Sequence, residues 1–379
     1  MATGVVKPGS DLERKKWVQE GLVQATSKSF WGGYTGTSSS AVVMQSNNEN
    51  SKEGHTVVFD FDGNLSGKAV KGKETAFGKG EQKKKFSDKV TVERYRLVVD
   101  NGDKFDGVNI GDLKINEHSD SRTKLVDLFT RFKDQALFDA GQGNIITNED
   151  GVQAPSHTIE IASGFGFDSL IDLETTLRTS QGYTSGGIRR PLIPFNMNEQ
   201  DPVWVVVIDA SVAAVLRKDD RWNSIIPQAD PRGTGNRALS GEIKRIGALM
   251  VVVAPQFFGA TSTGTGWGLN DSEIEISGLR QQDRANGNVW TGQAGFDYTS
   301  SNLWSRCLVL GAGGLQLAFG KMPDYRWQES EDFGIKSESC LEVWMEARKT
   351  HLKAENKKYK AAKVSDLDHG VVALDVKVS

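Results

Sequence analysis

An α+β fold is the class the sequence predicts, and three observations carry it. Two runs rich in β-branched and aromatic residues, Thr56–Phe61 and Val90–Val99, flank a loop of glycines and lysines. One long run, Ser119–Ala140, repeats apolar residues at spacings of three and four. Beyond it, the uniformly apolar runs Val203–Ile208 and Ala248–Val253 alternate with short helical patterns, as strands buried on both faces require.

In chain order, the first fifty residues read as an arm. Asp11–Thr26 places Leu12, Val18, Leu22 and Val23 on one helical face, with Gly21 interrupting it and Trp17 on the same stretch. Phe30, Trp31 and Tyr34 follow, then a Ser/Thr/Asn-rich stretch from Thr35 to Ser51. Aromatics with no local core must pack against something distant in sequence or on another chain.

From His55 to Val99 the pattern changes to strands, which a hairpin would join. Its connection, Gly67–Lys89, carries eight lysines against three acids and little that is apolar. A loop of this length without a core is either functional or disordered. Two arms of a dozen residues at ~3.3 Å each would project ~40 Å. An isolated hairpin is barely stable, so a ribbon of that kind needs a partner surface.

The strongest helix, Ser119–Ala140, carries Leu125, Leu128, Phe129, Phe132, Ala136 and Leu137. Ser119 or Ser121 can cap its start, and Gly141 is expected to end it. Its length is ~33 Å, the span of a small domain. A second helix, Phe167–Arg178, aligns Leu170, Leu173 and Leu177, and Asp209-Ala-Ser opens a third with Val212, Val215 and Leu216. Strands are expected at Leu303–Leu310, at Leu341–Ala347 and in the tail Gly370–Val378, with no internal repeat.

Composition excludes several function classes. In 379 residues, 46 basic side chains meet 49 acidic ones, a net charge of −3, so a dedicated nucleic-acid binder is not indicated. Hydrophobic residues make up only 37%, and 41 glycines fill the gap, so the chain is short of core-forming side chains. The two cysteines, Cys307 and Cys340, make no disulfide framework, and the five histidines show no metal spacing. No cofactor or metal is expected. No apolar run nears the ~18 residues that span a bilayer, and no signal peptide is evident, so the expectation is an unexported chain without a membrane partner.

Two segments imitate catalytic motifs. Val57-Val-Phe-Asp60-Phe-Asp62-Gly63-Asn64-Leu65 resembles the first motif of haloacid-dehalogenase phosphohydrolases, with Asp60 as nucleophile and Asp62 as proton carrier. That chemistry also needs a lysine and a late acidic pair for Mg²⁺ after intervening strands. The only candidate, Asp112 with Asn116, follows too soon, and a Gly/Lys loop stands where a helix or cap should begin. The alternative reading is an alternating strand with Asp60 and Asp62 toward solvent. Gly67-Lys-Ala-Val-Lys-Gly72-Lys73-Glu74 is one residue short of a Walker A loop, has Glu74 in place of the Mg²⁺-binding hydroxyl, and lacks the helix that would cradle phosphate. The basic runs Lys83–Lys85 and Arg348–Lys363 lack interleaved aromatics, Tyr359 excepted, and read as solvated connectors.

An aromatic arm, a long basic hairpin, one long helix and an α/β body describe a subunit built to interlock. In His55-Thr-Val-Val-Phe, Leu65-Ser-Gly67, the return strand to Val99, Trp204-Val-Val-Val-Ile-Asp209, Leu310-Gly-Ala-Gly-Gly-Leu-Gln-Leu-Ala-Phe-Gly320, Glu331-Asp-Phe-Gly334 and Asp368-His-Gly-Val-Val, the chain resembles the major capsid proteins of short-tailed double-stranded-DNA phages. These have the Hong Kong 97-type fold. The resemblance implies an N-terminal arm (1–54), an extended loop (55–100), a peripheral domain with a spine helix (101–159), an axial domain (160–300) and return strands of the peripheral domain (301–379). The insertion Thr261–Tyr298, with Trp267 and Trp290, departs from the minimal fold.

The resemblance further implies a homo-oligomer of hexamers and pentamers in an icosahedral shell that encloses DNA without reading its sequence. Such a shell works with separate scaffolding and portal proteins and with decoration proteins, and it is made in the host cytoplasm. Inter-subunit contacts are expected at Trp17, Phe30, Trp31, Tyr34, Lys68, Lys71, Lys73, Phe77 and Lys79.

Overall fold

A computed structural model of the chain describes residues 29–38, 40–47, 56–63, 68–80, 84–103, 117–143, 155–179, 193–198, 201–222, 242–255, 257–260, 274–284, 302–331, 336–354 and 367–378. The expected helix at Asp11–Thr26, Trp17, Trp267, Trp290 and the basic residues Lys357, Lys358, Lys360 and Lys363 lie outside these residues.

A 3₁₀ turn, Phe30–Tyr34, leads into β1 (Thr35–Gly36) and β2 (Val43–Asn47). The hairpin arms are β3 (Thr56–Gly63) and β4 (Lys84–Thr91), followed by β5 (Glu93–Asp103) and the long helix α1 (Glu117–Gln142). Next come β6 (Thr158–Ile161), α2 (Phe167–Thr179), β7 (Phe195–Asn198), β8 (Asp201–Ile208) and α3 (Ala210–Arg217). Five strands follow: β9 (Glu242–Ile246), β10 (Leu249–Val253), β11 (Phe257–Ala260), β12 (Ile274–Ser277) and β13 (Gln281–Asp283). The chain closes with β14 (Leu303–Leu310), β15 (Leu315–Glu331), β16 (Lys336–Lys349), β17 (His351–Ala354), β18 (Leu367–Asp368) and β19 (Val371–Lys377).

Two large sheets organise these elements. One has five strands in the order β1-β2-β15-β16-β5. The other has eight, running β6-β19-β14-β8-β10-β9, with β13 on β14 and β7 on β8. β11 and β12 pair by themselves, and β18-β17-β4-β3 form a small sheet that carries the hairpin.

The apolar runs explain the eight-stranded sheet. Val203 to Ile208 are all buried, and β8 lies parallel to β10, with Trp204 opposite Leu249 and Ile208 opposite Val253. Parallel neighbours need a crossover, and α3 begins it. Its N-cap is Asp209, whose carboxylate accepts from the Ser211 main-chain N–H at 3.3 Å. β14 pairs β19 over seven residues and β8 over three. β14 therefore lies between β8 and β19, and β19 between β14 and β6. Both strands are buried almost throughout, and only an interior position in the larger sheet covers both of their faces. β6 pairs β19 in parallel at the far edge of this sheet.

α1 packs across the five-stranded sheet and joins the two sheets in one core. Leu125, Leu137 and Phe138 are fully buried, and the Phe132 ring lies 5.0 Å from Tyr95 on β5. The helix starts before Ser119 and outruns Gly141. Ser121 is inside it, where its hydroxyl donates to Asn101 Oδ1 at 2.5 Å and makes no cap. Gly143, at φ 60°, ends the helix and donates to the Asp139 carbonyl at 3.0 Å. Gly141 serves close packing, because a Cβ there would meet Leu308 Cδ1 at 2.9 Å.

Val90–Val99 is not one strand. β4 ends at Thr91, Val92 is fully buried, and β5 crosses into the five-stranded sheet beside β16. The end of the expected arm is likewise part of the body. β2 pairs β15 in parallel from Val43 to Asn47, and Val42 and Val43 are completely buried.

Candidate inter-subunit surfaces

The hairpin alternates as a ribbon with one covered face should. Val57, Phe59 and Val90 are buried against Met44, Ala318 and Trp344, whereas Thr56, Val58, Asp60 and Lys89 are exposed. β3 and β4 pair from Thr56 opposite Thr91 to Gly63 opposite Lys84. The eight described pairs alone span ~26 Å.

Beyond the arms, residues 68–80 form turns without a strand or helix. Gly72 (φ 69°) and Gly78 (φ 81°) adopt the left-handed conformation there. Phe77 is 95% exposed between them, and Lys68, Lys71 and Lys73 are exposed around it. Lys79 Nζ lies 2.7 Å from Glu74 Oε2, an exposed pair of little energetic weight. A phenylalanine left in water forfeits ~1.5–3 kcal/mol of burial energy, so the tip carries unused capacity for contact.

Trp31, expected as an inter-subunit anchor, is fully buried within its own chain. Its ring centroid lies 4.9 Å from Phe138 on α1, and Phe30 lies 5.3 Å from the same ring. The Trp31 indole N–H donates to the Asp134 main-chain carbonyl at 3.2 Å. The Asp134 carboxylate accepts from the Phe30 N–H at 2.6 Å and from Ser29 Oγ at 2.7 Å. Burial pushes the Asp134 carboxyl above its ordinary range, against the pull of these two donors. A residue with no exposed surface reaches no neighbour, so Trp31 fastens the arm to α1, while Phe30 and Tyr34 keep part of their surface.

The catalytic imitations dissolve in this geometry. β3, which holds Asp60 and Asp62, is an arm of an antiparallel hairpin and not a strand leading into a phosphate-binding turn. Asp60 points to solvent, as an alternating strand requires. The Walker-like segment lies in the exposed tip, and no helix follows it. Among the described residues, no group of three potential metal ligands converges, and no helix is long and apolar enough to cross a membrane.

Sequence reasoning missed the hairpin mount. Lys349, read as part of a solvated connector, is buried with its Nζ 2.8 Å from Asp368 Oδ2. His351 Nδ1 lies 3.1 Å from Asp368 Oδ1, and the His351 main-chain N–H donates to Asp88 Oδ2 on β4 at 2.9 Å. A second buried pair, Arg306 to Asp375 at 2.8 and 2.9 Å, ties β14 to β19. The available signal was lone charges inside otherwise apolar strands, Arg306 and Asp375 among them.

Comparison with known proteins agrees with this architecture. The sequence model described as phage capsid protein matches residues 6–155. Among solved structures, the capsid of Ralstonia phage GP4 superposes with a TM-score of 0.65 at 18% identity, covering 99% of this chain and 98% of that one. The chain has the Hong Kong 97-type capsid fold. The head structure of Helicobacter pylori bacteriophage KHP40 gives 0.65 at 15% identity over 93% and 91%. The cyanophage Pam1 capsid gives 0.62 at 12% identity over 100% and 99%. No curated protein matches the chain.

Proposed function

We infer that this chain is the major capsid protein of a tailed phage, a structural, non-enzymatic subunit that self-assembles into the icosahedral shell around a double-stranded DNA genome. The observation that carries the reading is the capsid fold matched over essentially the whole length of both chains. Nothing in the site geometry favours phosphohydrolysis by Asp60 and Asp62.

The hairpin tip supplies a physical means of assembly. Phe77 gains burial, and Lys68, Lys71 and Lys73 gain charge pairing, on a sister subunit, so hexamers and pentamers form through ribbons laid over neighbours. A chain of 37% hydrophobic content gains stability from area buried between copies. Phe30, Tyr34, Lys68, Lys71, Lys73 and Lys79 take the other contacts, with Trp17 on the arm. Separate scaffolding, portal and decoration proteins complete the particle, which encloses DNA without sequence-specific contacts and whose subunits are made in the host cytoplasm.

Replacing residues 68–80 with a short Gly/Ser turn tests the reading. The variant should sediment only as small species while the subunit stays folded, and normal shells from it would remove the tip from the assembly mechanism.

A further inference from the structure

Besides its apolar base, the hairpin is tied to the body through a chain of contacts centred on one carboxylate. Asp368, whose side chain is 1% exposed, sits on β18 where three segments meet. Its Oδ2 accepts from Lys349 Nζ at the end of β16 (2.8 Å) and from the Ser156 main-chain N–H just before β6 (2.7 Å). Its Oδ1 faces His351 Nδ1 on β17 at 3.1 Å. His351 passes the connection on, because its main-chain N–H donates to Asp88 of the hairpin and β17 pairs β4 at Lys353–Ser87 and Ala354–Phe86. On the other side, Ser156 leads into β6, which pairs β19 of the eight-stranded sheet.

We propose that Asp368, as a carboxylate, is the positioning residue that sets how firmly the hairpin is mounted on the body, and that removing its charge loosens the ribbon while both large sheets stay folded. The inference rests on the fold alone and not on the shell reading. Its logic is the order of the contacts. Lys349 and His351 come to Asp368 from β16 and β17, Asp88 stands behind His351 on β4, and Arg306 on β14 adds positive charge toward Lys349. His157 and His369 are the neighbouring titratable groups along the two joined segments. Without the anion, the Lys349 ammonium is left buried and without its 2.8 Å partner, and β17 loses the tie that aligns it between β18 and β4.

The two sheets have ties of their own. β14 and β19 are held by seven paired residues and the Arg306–Asp375 pair, and β15 and β16 pair along most of their length. The hairpin keeps its small apolar base and the bond from Arg348 to the Lys89 carbonyl at 3.1 Å. Loosening it is therefore a local opening, of the kind amide exchange resolves.

The experiment is hydrogen–deuterium exchange at pH 7 on the full, unassembled chain, comparing wild type with Asp368→Asn and with Asp88→Ala, which cuts the connection on the hairpin side. In both variants, amides of β3 and β4 should exchange at least tenfold faster, while those of β14 and β19 change by less than threefold. Unchanged hairpin exchange overturns the proposal, and so does a rise shared equally by β14 and β19, which would mean general destabilisation. If Asp368→Asn does not fold, Asp88→Ala decides by the same two criteria.

Discussion

Trp31 donates its indole N–H to the main-chain carbonyl of Asp134 at 3.2 Å, and the carboxylate of that aspartate takes the N–H of Phe30 at 2.6 Å. An aromatic turn far upstream in sequence is thereby pinned to the middle of the long helix. Trp31→Ala leaves a large cavity beside Phe138 and should cost the isolated subunit ~3–5 kcal/mol. Asp134→Ala strands two donors and should cost ~1–3 kcal/mol. Urea unfolding of unassembled protein measures both, and an unchanged midpoint for Trp31→Ala would put the indole outside the core.

Phe77→Ser should behave in the opposite way. The side chain is 95% exposed, so its loss leaves subunit stability within about 0.5 kcal/mol of wild type. Sedimentation should instead show a marked loss of large assemblies. A variant that is unstable as a subunit yet assembles normally would reverse the assignment.

Acidification acts through Asp368. Burial raises its carboxyl, but His351, the Lys349 ammonium and the Ser156 N–H together outweigh burial and hold it below the usual carboxylate range. A folded-state value below the unfolded one means that the stabilisation is complete above the ordinary ~3.9 and is lost as pH falls through the folded value. Thermal midpoints of wild type and Asp368→Asn should differ fully at neutral pH and draw together only as pH falls below the ordinary carboxylate range. A difference that grows on acidification would contradict the sign.

Two glycine contacts separate hard from soft neighbours. A Cβ on Gly314 would meet the Gly370 carbonyl oxygen at 2.6 Å, and one on Gly370 (φ 74°) would meet Gly314 Cα at 2.6 Å. Backbone cannot yield as a side chain does, so Gly314→Ala and Gly370→Ala should each cost more than ~2 kcal/mol. Gly141→Ala presses only on the end of Leu308, and better helix propensity returns up to ~1 kcal/mol, so its cost should stay near ~1 kcal/mol. Thermal unfolding of the three variants checks the order.

The sequence made some elements legible because one local pattern decided them. The long helix agrees with its expected range to within two residues at each end, since Leu125, Phe132 and Leu137 follow a single period. Val203–Ile208 and Leu249–Val253 follow from burial on both faces. Sheet membership was less legible. Nothing local tells Leu303–Leu310 to pair with Val371–Lys377, because pairing across more than sixty residues is decided by the packed whole. The switch at Val92 was hidden by an unbroken β-rich run. At the surfaces, glycine and lysine content exposed the hairpin tip, but Trp31 as an inward anchor required Asp134 and Phe138, a full domain away in sequence. Lys349 was misread because a charge run is usually solvated, and its buried partner Asp368 lies on another strand.

The most direct test is electron microscopy of the purified full-length chain across a concentration series. The shell reading predicts closed icosahedral particles in which each ribbon lies over an adjacent copy and Phe77 is covered. A chain that stays monomeric and folded at high concentration, with Phe77 still in solvent, would contradict it.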